Sequence, residues 1–275
     1  MPTQKLEVYG QDMQSSRQSV LLLIPALLLL ALGCGTSPAV AEDTPPAVPP
    51  VPVQAETLKP RMNGLVVLEL FTSQACTFCP KADKMLDDLS QMENVIALAC
   101  HVDYFSDKND ELAKPFCSQR QALYQSTLRS GPNYTPQMVI NGTYDAVGYK
   151  LDEVSEEMWE ASAQKIAKIN VTQTEQENLF DLSFPDIGEQ IQKDGYDIWL
   201  ATTEKPHRAK NKTGQKVVYS NVVGTMTRLD IGQAYKDKKQ LRIAANLKDW
   251  HKGFVVFAQN PQNGRIVAAG QYLKP

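Results

Sequence analysis

Two cysteines separated by two residues, Cys76 and Cys79, are the side chains of this sequence best suited to do chemistry. A pair at this spacing serves as a redox-active dithiol, as half of a zinc site or as a structural disulfide. Thiolate is the reactive form of cysteine, and the free N–H groups at the start of a helix stabilise it. We expect both sulfurs to lie on the first turn of a helix, with Cys76 as the exposed attacking thiol and Cys79 as the more buried resolving thiol.

The segments on either side of the pair favour the redox alternative. The apolar run "LVVLELF" at residues 65–71 is typical of a buried strand. After the pair, apolar residues recur at helical spacing while charged residues face elsewhere: Ala82, Met85, Leu86, Leu89 and Met92 against Lys81, Asp83, Lys84 and Asp87. A CxxC pair between a buried strand and an amphipathic helix is a much stronger redox signal than the motif alone.

The pattern continues as alternating strands and helices up to residue 169. It predicts strands at 95–102 and 137–142, an Asn-Gly hairpin turn, and helices at 115–129 and 151–168. This order predicts an α/β fold in which a domain at residues 63–169 has a central mixed sheet flanked by helices. Short strands and turns then predict a β-rich C-terminal domain at residues 170–275, with a strand at 216–229 and a basic loop containing His207 at 204–216.

A Thr-Pro dipeptide precedes the strand at 137–142. In thioredoxin-like folds a cis-proline at this point lies against the CxxC pair, and the preceding residue offers backbone hydrogen bonds to an extended substrate. Thr135 and Pro136 occupy this place, with Tyr134 beside them. We therefore expect a cis bond and a substrate-binding role; the alternative is an ordinary trans proline at a strand entrance.

Glu69 lies in the otherwise apolar strand before the pair. A carboxylate is costly to bury without a purpose, so Glu69 is a candidate proton shuttle for Cys79. The alternative is a glutamate near a loop that reaches solvent.

A second pair of cysteines, Cys100 and Cys117, falls near the end of the second strand and in the first turn of the following helix. The favoured interpretation is a structural disulfide. An electron relay to Cys76 and Cys79 and two free buried thiols are alternatives. A zinc site would add Cys100 or His101 and Cys117 to the first pair, but the spacing is not that of a zinc finger or ribbon, so no metal and no organic cofactor are predicted.

The N-terminus predicts export rather than fold. Arg17 precedes an apolar run from Val20 to Leu32 that ends in Ala-Leu-Gly and Cys34, which resembles a bacterial lipobox. Residues 1–34 are therefore predicted to be a signal peptide with lipidation at Cys34, and the Pro-rich residues 35–62 a disordered linker. We expect a periplasmic protein, held to the outer membrane by the lipid anchor only; a plain secretory signal is the alternative.

Four segments resemble a family of bacterial exported proteins that have a thioredoxin-like domain and no agreed activity: "LELFTSQACTFCPKAD", "IALACHVDY", "RQALY" and "YTPQMVING". The resemblance covers residues 64–150 and is looser over 216–223 and 254–273. It implies a thioredoxin fold and functional roles for Cys76, Cys79 and Pro136, and it supplies no substrate.

These observations predict an exported thiol–disulfide oxidoreductase that acts on protein thiols or disulfides of the bacterial envelope. The alternative is a non-enzymatic envelope binding protein on the same scaffold, with both cysteine pairs as static disulfides. A net charge of −3 without a run of lysine and arginine argues against nucleic-acid binding. The direction of electron flow and the oligomeric state are left open.

Overall fold

The computed structural model describes residue 62 and residues 64–105, 110–128, 131–184, 195–229 and 240–275. Over these residues the protein is a mixed α/β structure with several sheets and few helices. The first part contains β1 (Val66–Thr72), α1 (Cys79–Leu89), β2 (Val95–His101), α2 (Pro115–Leu128), β3 (Gln137–Ile140), β4 (Tyr144–Val147) and α3 (Leu151–Ser162). The second part contains β5 (Ala167–Lys168), β6 (Asn170–Gln173), β7 (Leu179–Ser183), β8 (Asp197–Glu204), β9 (His207–Lys210), β10 (Lys216–Tyr219), β11 (Val223–Leu229), β12 (Gln240–Ala244), β13 (His251–Gln259) and β14 (Ile266–Leu273).

A four-stranded mixed sheet carries the CxxC segment, as predicted. Its order is β2-β1-β3-β4, with β1 and β2 parallel and the β3–β4 hairpin antiparallel to β1. The predicted Asn-Gly turn is confirmed, since Asn141 and Gly142 have φ values of 52° and 64°. Glycine is required at the second position because a Cβ atom on Gly142 would lie 2.0 Å from the carbonyl oxygen of Gly264.

Strand β1 is buried on both faces of this sheet. Val66, Leu68 and Leu70 face the helices α1 and α3, which pack on them through apolar side chains such as Leu86 and Met158. The intervening side chains of β1 face a second hydrophobic cluster that includes α2 and the other sheet: Val67, Phe71, Cys117, Tyr124, Val255 and Phe257. Alternation along one strand thus assigns each side chain to one of two cores.

The strands after residue 166 form a five-stranded sheet in the order β11-β8-β13-β14-β5, a three-stranded sheet in the order β12-β7-β6, and the β9–β10 hairpin. In β13, Val255 and Phe257 face the four-stranded sheet and α2. Phe254 and Val256, in alternation with them, face the three-stranded sheet. Strand β13 therefore contributes alternate side chains to two hydrophobic cores.

Three predicted segments differ from the structure. Helix α3 ends at Ser162 instead of residue 168, because the chain turns there and Ala167 pairs with Ala268 of β14. The predicted basic loop at 204–216 contains β9, and the predicted strand at 216–229 is two strands, β10 and β11, that belong to different sheets. The chain bends between them at Asn221, whose φ is 58°.

The predicted signal peptide, Cys34 and almost all of the predicted linker lie outside the described residues. The predicted domain boundary at residues 169 and 170 stays a prediction; the cluster on the α2 face of the four-stranded sheet draws side chains from both sides of it. Among the helices that the structure describes, none is long and apolar enough to span a membrane.

A buried ion pair joins the two parts. Nε and Nη2 of Arg120 in α2 both donate hydrogen bonds to the Glu69 carboxylate of β1. The bond from Nη2 to Oε1 is 2.8 Å long. The Tyr124 hydroxyl donates to the same carboxylate. Gln259 at the end of β13 accepts from Arg120 at 3.2 Å and donates to Tyr124 at 2.9 Å. The guanidinium also lies 4.9 Å from the ring centre of Phe257. This network connects β1, α2 and β13.

Replacing Arg120 with methionine should lower the free energy of unfolding by about 3–5 kcal/mol, because it leaves a buried carboxylate without its counter-charge. The double variant Glu69→Leu with Arg120→Met should regain much of that loss. Urea unfolding with both disulfides intact measures these values. The exposed pair Arg242–Asp181 provides the control, since Arg242→Met should change stability little. An equally small effect of Arg120→Met would show that the buried pair does not hold the sheets together.

Candidate functional site

Cys76 and Cys79 form a disulfide with their Cα atoms 5.4 Å apart. Helix α1 begins at Cys79, with Pro80 in its first turn, where a missing N–H costs nothing. Cys76 therefore precedes the helix, whereas the sequence predicted both residues on its first turn. Cys76 keeps 7% of its surface exposed and Cys79 none. The difference in exposure has the predicted direction, although Cys76 is less open than expected.

An exposed aromatic residue lies between the two cysteines. Phe78 is 52% exposed and stacks on Tyr149 with 5.2 Å between ring centres. Pro136 lies close by, since a Cβ atom on Gly148 would contact both Pro136 and Ala82 of α1 at 3.3 Å. The surface next to the disulfide is thus built from α1 and from the two ends of the β3–β4 hairpin.

The Thr135–Pro136 peptide bond is cis, as predicted. The carbonyl of Pro136 accepts a hydrogen bond from the Gly148 N–H at 2.9 Å. Within the part of the chain that the structure describes, the backbone N–H and C=O of Thr135 form no hydrogen bond, so both are available to a ligand. Tyr134 donates from its hydroxyl to Asp145 at 2.9 Å, and its carbonyl accepts from Gln121 at 2.7 Å. Tyr134 therefore supports this loop rather than facing outward freely.

Glu69 does not occupy the place of a proton shuttle. Its neighbours on β1, Val67 and Phe71, face α2, which is the opposite side of the sheet from α1 and Cys79. Its carboxylate is held by Arg120 and Tyr124. The prediction of proton transfer by Glu69 is therefore corrected: the cost of burying this acid is offset by a buried counter-charge.

Cys100 and Cys117 also form a disulfide, with Cα atoms 5.3 Å apart, and both are completely buried. Cys100 faces the α2 side of the four-stranded sheet, in the same cluster as Phe71 and Tyr124. The favoured pairing is confirmed, and the alternative of two free thiols does not apply to this structure. The sheet itself separates this disulfide from α1.

A carboxylate that the sequence did not single out lies beneath the CxxC pair. Asp83 was predicted to face away from the core, but it is 96% buried, at 4% exposure. It follows Cys79 by four residues in α1, so the two side chains project from the same face of the helix on successive turns. Burial raises the pKa of Asp83 to about 7, partly opposed by the hydroxyl of Thr72. The sequence did contain a sign of this burial, because Asp83 lies at helical spacing among the apolar residues Ala82, Leu86 and Leu89.

Other buried polar groups surround Asp83. His101, opposite Thr72 in the register of β1 and β2, has no hydrogen-bond partner for either ring nitrogen among the described residues. Burial lowers the pKa of His101 to about 3, with a further contribution from Lys114, so the ring is neutral. The ring centre of Tyr219 lies 5.2 Å from that of His101. Burial, and then the charge of Asp83, raise the pKa of the Tyr219 hydroxyl. We call Thr72, Asp83, His101 and Tyr219 the buried polar cluster.

Within the described ranges, no group of three or more histidine, cysteine or acidic side chains is arranged to hold a metal ion. His101 is enclosed beside Tyr219, and Cys100 is bonded to Cys117 on the other face of the sheet. The zinc alternative therefore has no ligand set in this part of the chain.

The chain belongs to the family described as "Protein of unknown function (DUF1223)", which matches residues 67–259. Over 84 residues it is 31% identical to a "Probable Thioredoxin" of Archaeoglobus fulgidus, a match that covers 30% of this chain and 75% of that protein. A crystal structure of a protein from Agrobacterium tumefaciens superimposes with a TM-score of 0.62 at 23% identity, covering 77% of this chain and 95% of that one. HBP35 of Porphyromonas gingivalis gives a TM-score of 0.53 at 18% identity, with coverages of 77% and 76%. Both structures support the fold and say nothing about activity.

The burial of Asp83 should make the stability of the protein depend on pH. Its pKa in the folded protein, about 7, is above the ordinary value of 3.8, so its contribution to stability is fully present below pH 3.8 and is lost as the pH rises through 7. The variant Asp83→Leu should therefore gain stability relative to the wild type on going from pH 5 to pH 8, by at most about 3 kcal/mol.

Urea unfolding of the oxidised protein at the two pH values measures this difference. The control is Asp87→Leu, which replaces an acid one turn further along α1 that is only half-buried. A gain that is the same at pH 5 and pH 8 would show that Asp83 is not a carboxyl group with a raised pKa.

Proposed function

We propose that this protein is a thiol–disulfide oxidoreductase of the bacterial envelope, with a thioredoxin-like domain at residues 63–169 and a β-rich domain at residues 170–275. The observation that carries the proposal is the disulfide between a partly accessible Cys76 and an enclosed Cys79, at the junction of β1 with α1 and close to Thr135 and Pro136. The similarity to a protein called probable thioredoxin over 84 residues gives further support.

The exchange reaction follows from the order of exposure. In the reduced protein the Cys76 thiolate attacks one sulfur of a substrate disulfide; a Cys76–substrate bond forms, the substrate disulfide breaks, and its other sulfur leaves as a thiolate. Cys79, after losing its proton, attacks Cys76; the Cys76–Cys79 bond forms and the remaining substrate sulfur leaves as a thiolate. Two electrons have then passed from the pair to the substrate. The reverse sequence oxidises a substrate dithiol.

Asp83 is the group that we assign to accept the proton of Cys79. The resolving thiol is enclosed, so its proton cannot pass directly to water. The Asp83 carboxyl lies one helical turn away on the same face, and burial holds its pKa at about 7, where a base both accepts and releases a proton at neutral pH. Glu69 is bound to Arg120 on the other side of the sheet and has no part in this step.

The substrate is proposed to lie along Thr135 and over Phe78. The unpaired backbone N–H and C=O of Thr135 offer the two hydrogen bonds that an extended peptide needs. The exposed, stacked rings of Phe78 and Tyr149 offer an apolar contact next to the exchanging sulfur. Cys100 and Cys117 are proposed to form a static disulfide, because they are enclosed on the far face of the sheet.

The proposed site of action is the periplasm, with lipid attachment at Cys34 and anchoring to the outer membrane. The lipobox-like sequence before Cys34 and the even number of cysteines that remain after it support this location. Partners would be proteins with exposed thiols or disulfides.

The variant Cys79→Ala should accumulate mixed disulfides with substrate proteins, because the resolving step is removed. The complete chain is expressed in a bacterial host, free thiols are blocked by acid quenching and alkylation, and non-reducing gels are probed for adducts that disappear with dithiothreitol. Cys76→Ala is the matched control and should trap nothing. The absence of adducts from Cys79→Ala at wild-type protein levels would contradict the proposal and favour a binding protein with static disulfides.

Replacing Asp83 with asparagine should slow resolution of the mixed disulfide by roughly 10²-fold, because the proton acceptor is lost. In the wild type the resolution rate should rise as the pH increases through 7, since only the deprotonated carboxylate accepts a proton. In Asp83→Asn this inflection should vanish. Stopped-flow measurement of thiol release from a preformed mixed disulfide gives the rates, and Asp87→Asn is the control. A wild-type pH profile in Asp83→Asn would remove Asp83 from the mechanism.

A further inference from the structure

The β9–β10 hairpin contributes Tyr219 to the buried polar cluster and packs over the rest of it. Its inner side chains Val217 and Tyr219 are buried, and the Tyr219 ring lies against His101 at 5.2 Å between ring centres. Val217 and Tyr219 also belong to a small apolar cluster with Leu112 and Val222. The hairpin therefore packs on the CxxC side of the four-stranded sheet, although it comes from the β-rich part of the chain.

The tip of the hairpin is bound to the loop that carries the CxxC pair. The Lys212 N–H donates to the carbonyl of Gln74 at 3.0 Å, two residues before Cys76. The tip itself is ordered by Asn211, whose side-chain oxygen accepts from the N–H groups of Thr213 at 3.1 Å and Gln215 at 2.9 Å. Any protein that brings a sulfur to Cys76 must therefore approach next to this tip.

The outer face of the hairpin is cationic. Arg208, Lys210 and Lys216 are exposed on it, and Lys212 is exposed at the tip. Lys210 and Lys216 are directly opposite each other in the strand pairing. Like charges at this position are destabilising. Among the residues that the structure describes, none of these four cations forms an ion pair. On the inner side of the hairpin, the carboxylates of Asp83 and Asp110 influence Tyr219.

We propose that the outer face of β9 and β10 is a docking surface for an acidic segment of the substrate protein, close in sequence to the cysteine that exchanges with Cys76. This inference rests on the proposed function for the exchange step. The positive charge of the surface indicates that the partner segment is acidic. Because the protein as a whole carries a net charge of −3, a cationic face next to the redox pair is a local feature that concentrates acidic partners where they react. Val218, 41% exposed among the cations, adds an apolar contact.

The test compares two peptides of equal length whose single cysteine, in a disulfide with cysteamine, is flanked by glutamates in one and by lysines in the other. Stopped-flow kinetics with the reduced protein at low ionic strength should give a rate about tenfold higher for the glutamate peptide. The preference should shrink as salt screens the charges. In the double variant Lys210→Glu with Lys216→Glu it should disappear or reverse.

The double variant Lys168→Glu with Arg265→Glu has the same change in net charge on exposed residues of other elements and should keep the preference. The neutral disulfide of 2-mercaptoethanol should react equally with the wild type and with both double variants, which shows that the redox pair is intact. Equal rates for the two peptides, or an equal loss in the control variant, would overturn the docking surface.

A binding measurement separates the two proposals. Fluorescence anisotropy with the same peptides carrying serine in place of cysteine reports docking without exchange. Tight binding of the glutamate peptide by a protein that exchanges with no disulfide would uphold the surface and reject the proposed enzyme. Exchange with both peptides at the same rate, without preferential binding, would do the reverse. Loss of binding to vesicles of anionic phospholipid in Lys210→Glu with Lys216→Glu, with no effect on peptides, would identify a membrane contact and also overturn the proposal.

Discussion

The buried pair of Glu69 and Arg120 fixes the position of α2, and much of the site depends on that helix. Arg120 is held on one side by a strand of the four-stranded sheet and on the other by Gln259 and Phe257 of β13. The next residue, Gln121, donates to the carbonyl of Tyr134 at 2.7 Å and to Gln137 at 2.9 Å. The loop that ends in Thr135 and Pro136 is thus supported from α2. A charge pair deep in the protein thus helps to fix the loop that carries Thr135 and Pro136.

The two disulfides lie on opposite faces of the four-stranded sheet, in different environments. On the α2 face, Cys100 and Cys117 are enclosed among aromatic and aliphatic side chains. On the α1 face, Cys79 is followed one helical turn later by the buried carboxyl group of Asp83, and both ring nitrogens of the neutral His101 lack hydrogen-bond partners among the described residues. A buried polar group without a hydrogen-bond partner costs free energy of folding. The first environment suits a permanent crosslink, and the second suits a bond that is made and broken.

The features that the sequence predicted correctly are those with a local cause. The strand before the CxxC pair, the start of a helix at Pro115, and the Asn-Gly turn follow from apolar runs, proline and glycine, which act over a few residues. The pairing of Cys100 with Cys117 followed from their expected places on neighbouring elements.

The errors concern residues whose environment is built by distant parts of the chain. Glu69 is an acidic residue in an otherwise apolar strand, which suggested a functional role. Nothing near it in sequence reveals that Arg120 is its partner. Asp83 lies between lysines in sequence and looked solvated, because the hairpin that covers it comes much later. Strand β9 of the same hairpin was predicted as a loop, since its alternation is short and its residues are basic. Tertiary contacts determine the environment of all three, and these contacts cannot be inferred from a single sequence.

Through Tyr219, which packs against His101, the β-rich part of the chain contributes a side chain to the buried polar cluster near the CxxC disulfide. Burial is the main cause of the raised pKa of Asp83 and the lowered pKa of His101, and the hairpin contributes to that burial. In electrostatic terms, a segment from the second half of the chain lowers the local dielectric constant around Asp83 and His101. The N-terminal α/β part on its own would have these two side chains in a wetter, more polarisable surrounding, and the pKa of each would lie closer to its ordinary value.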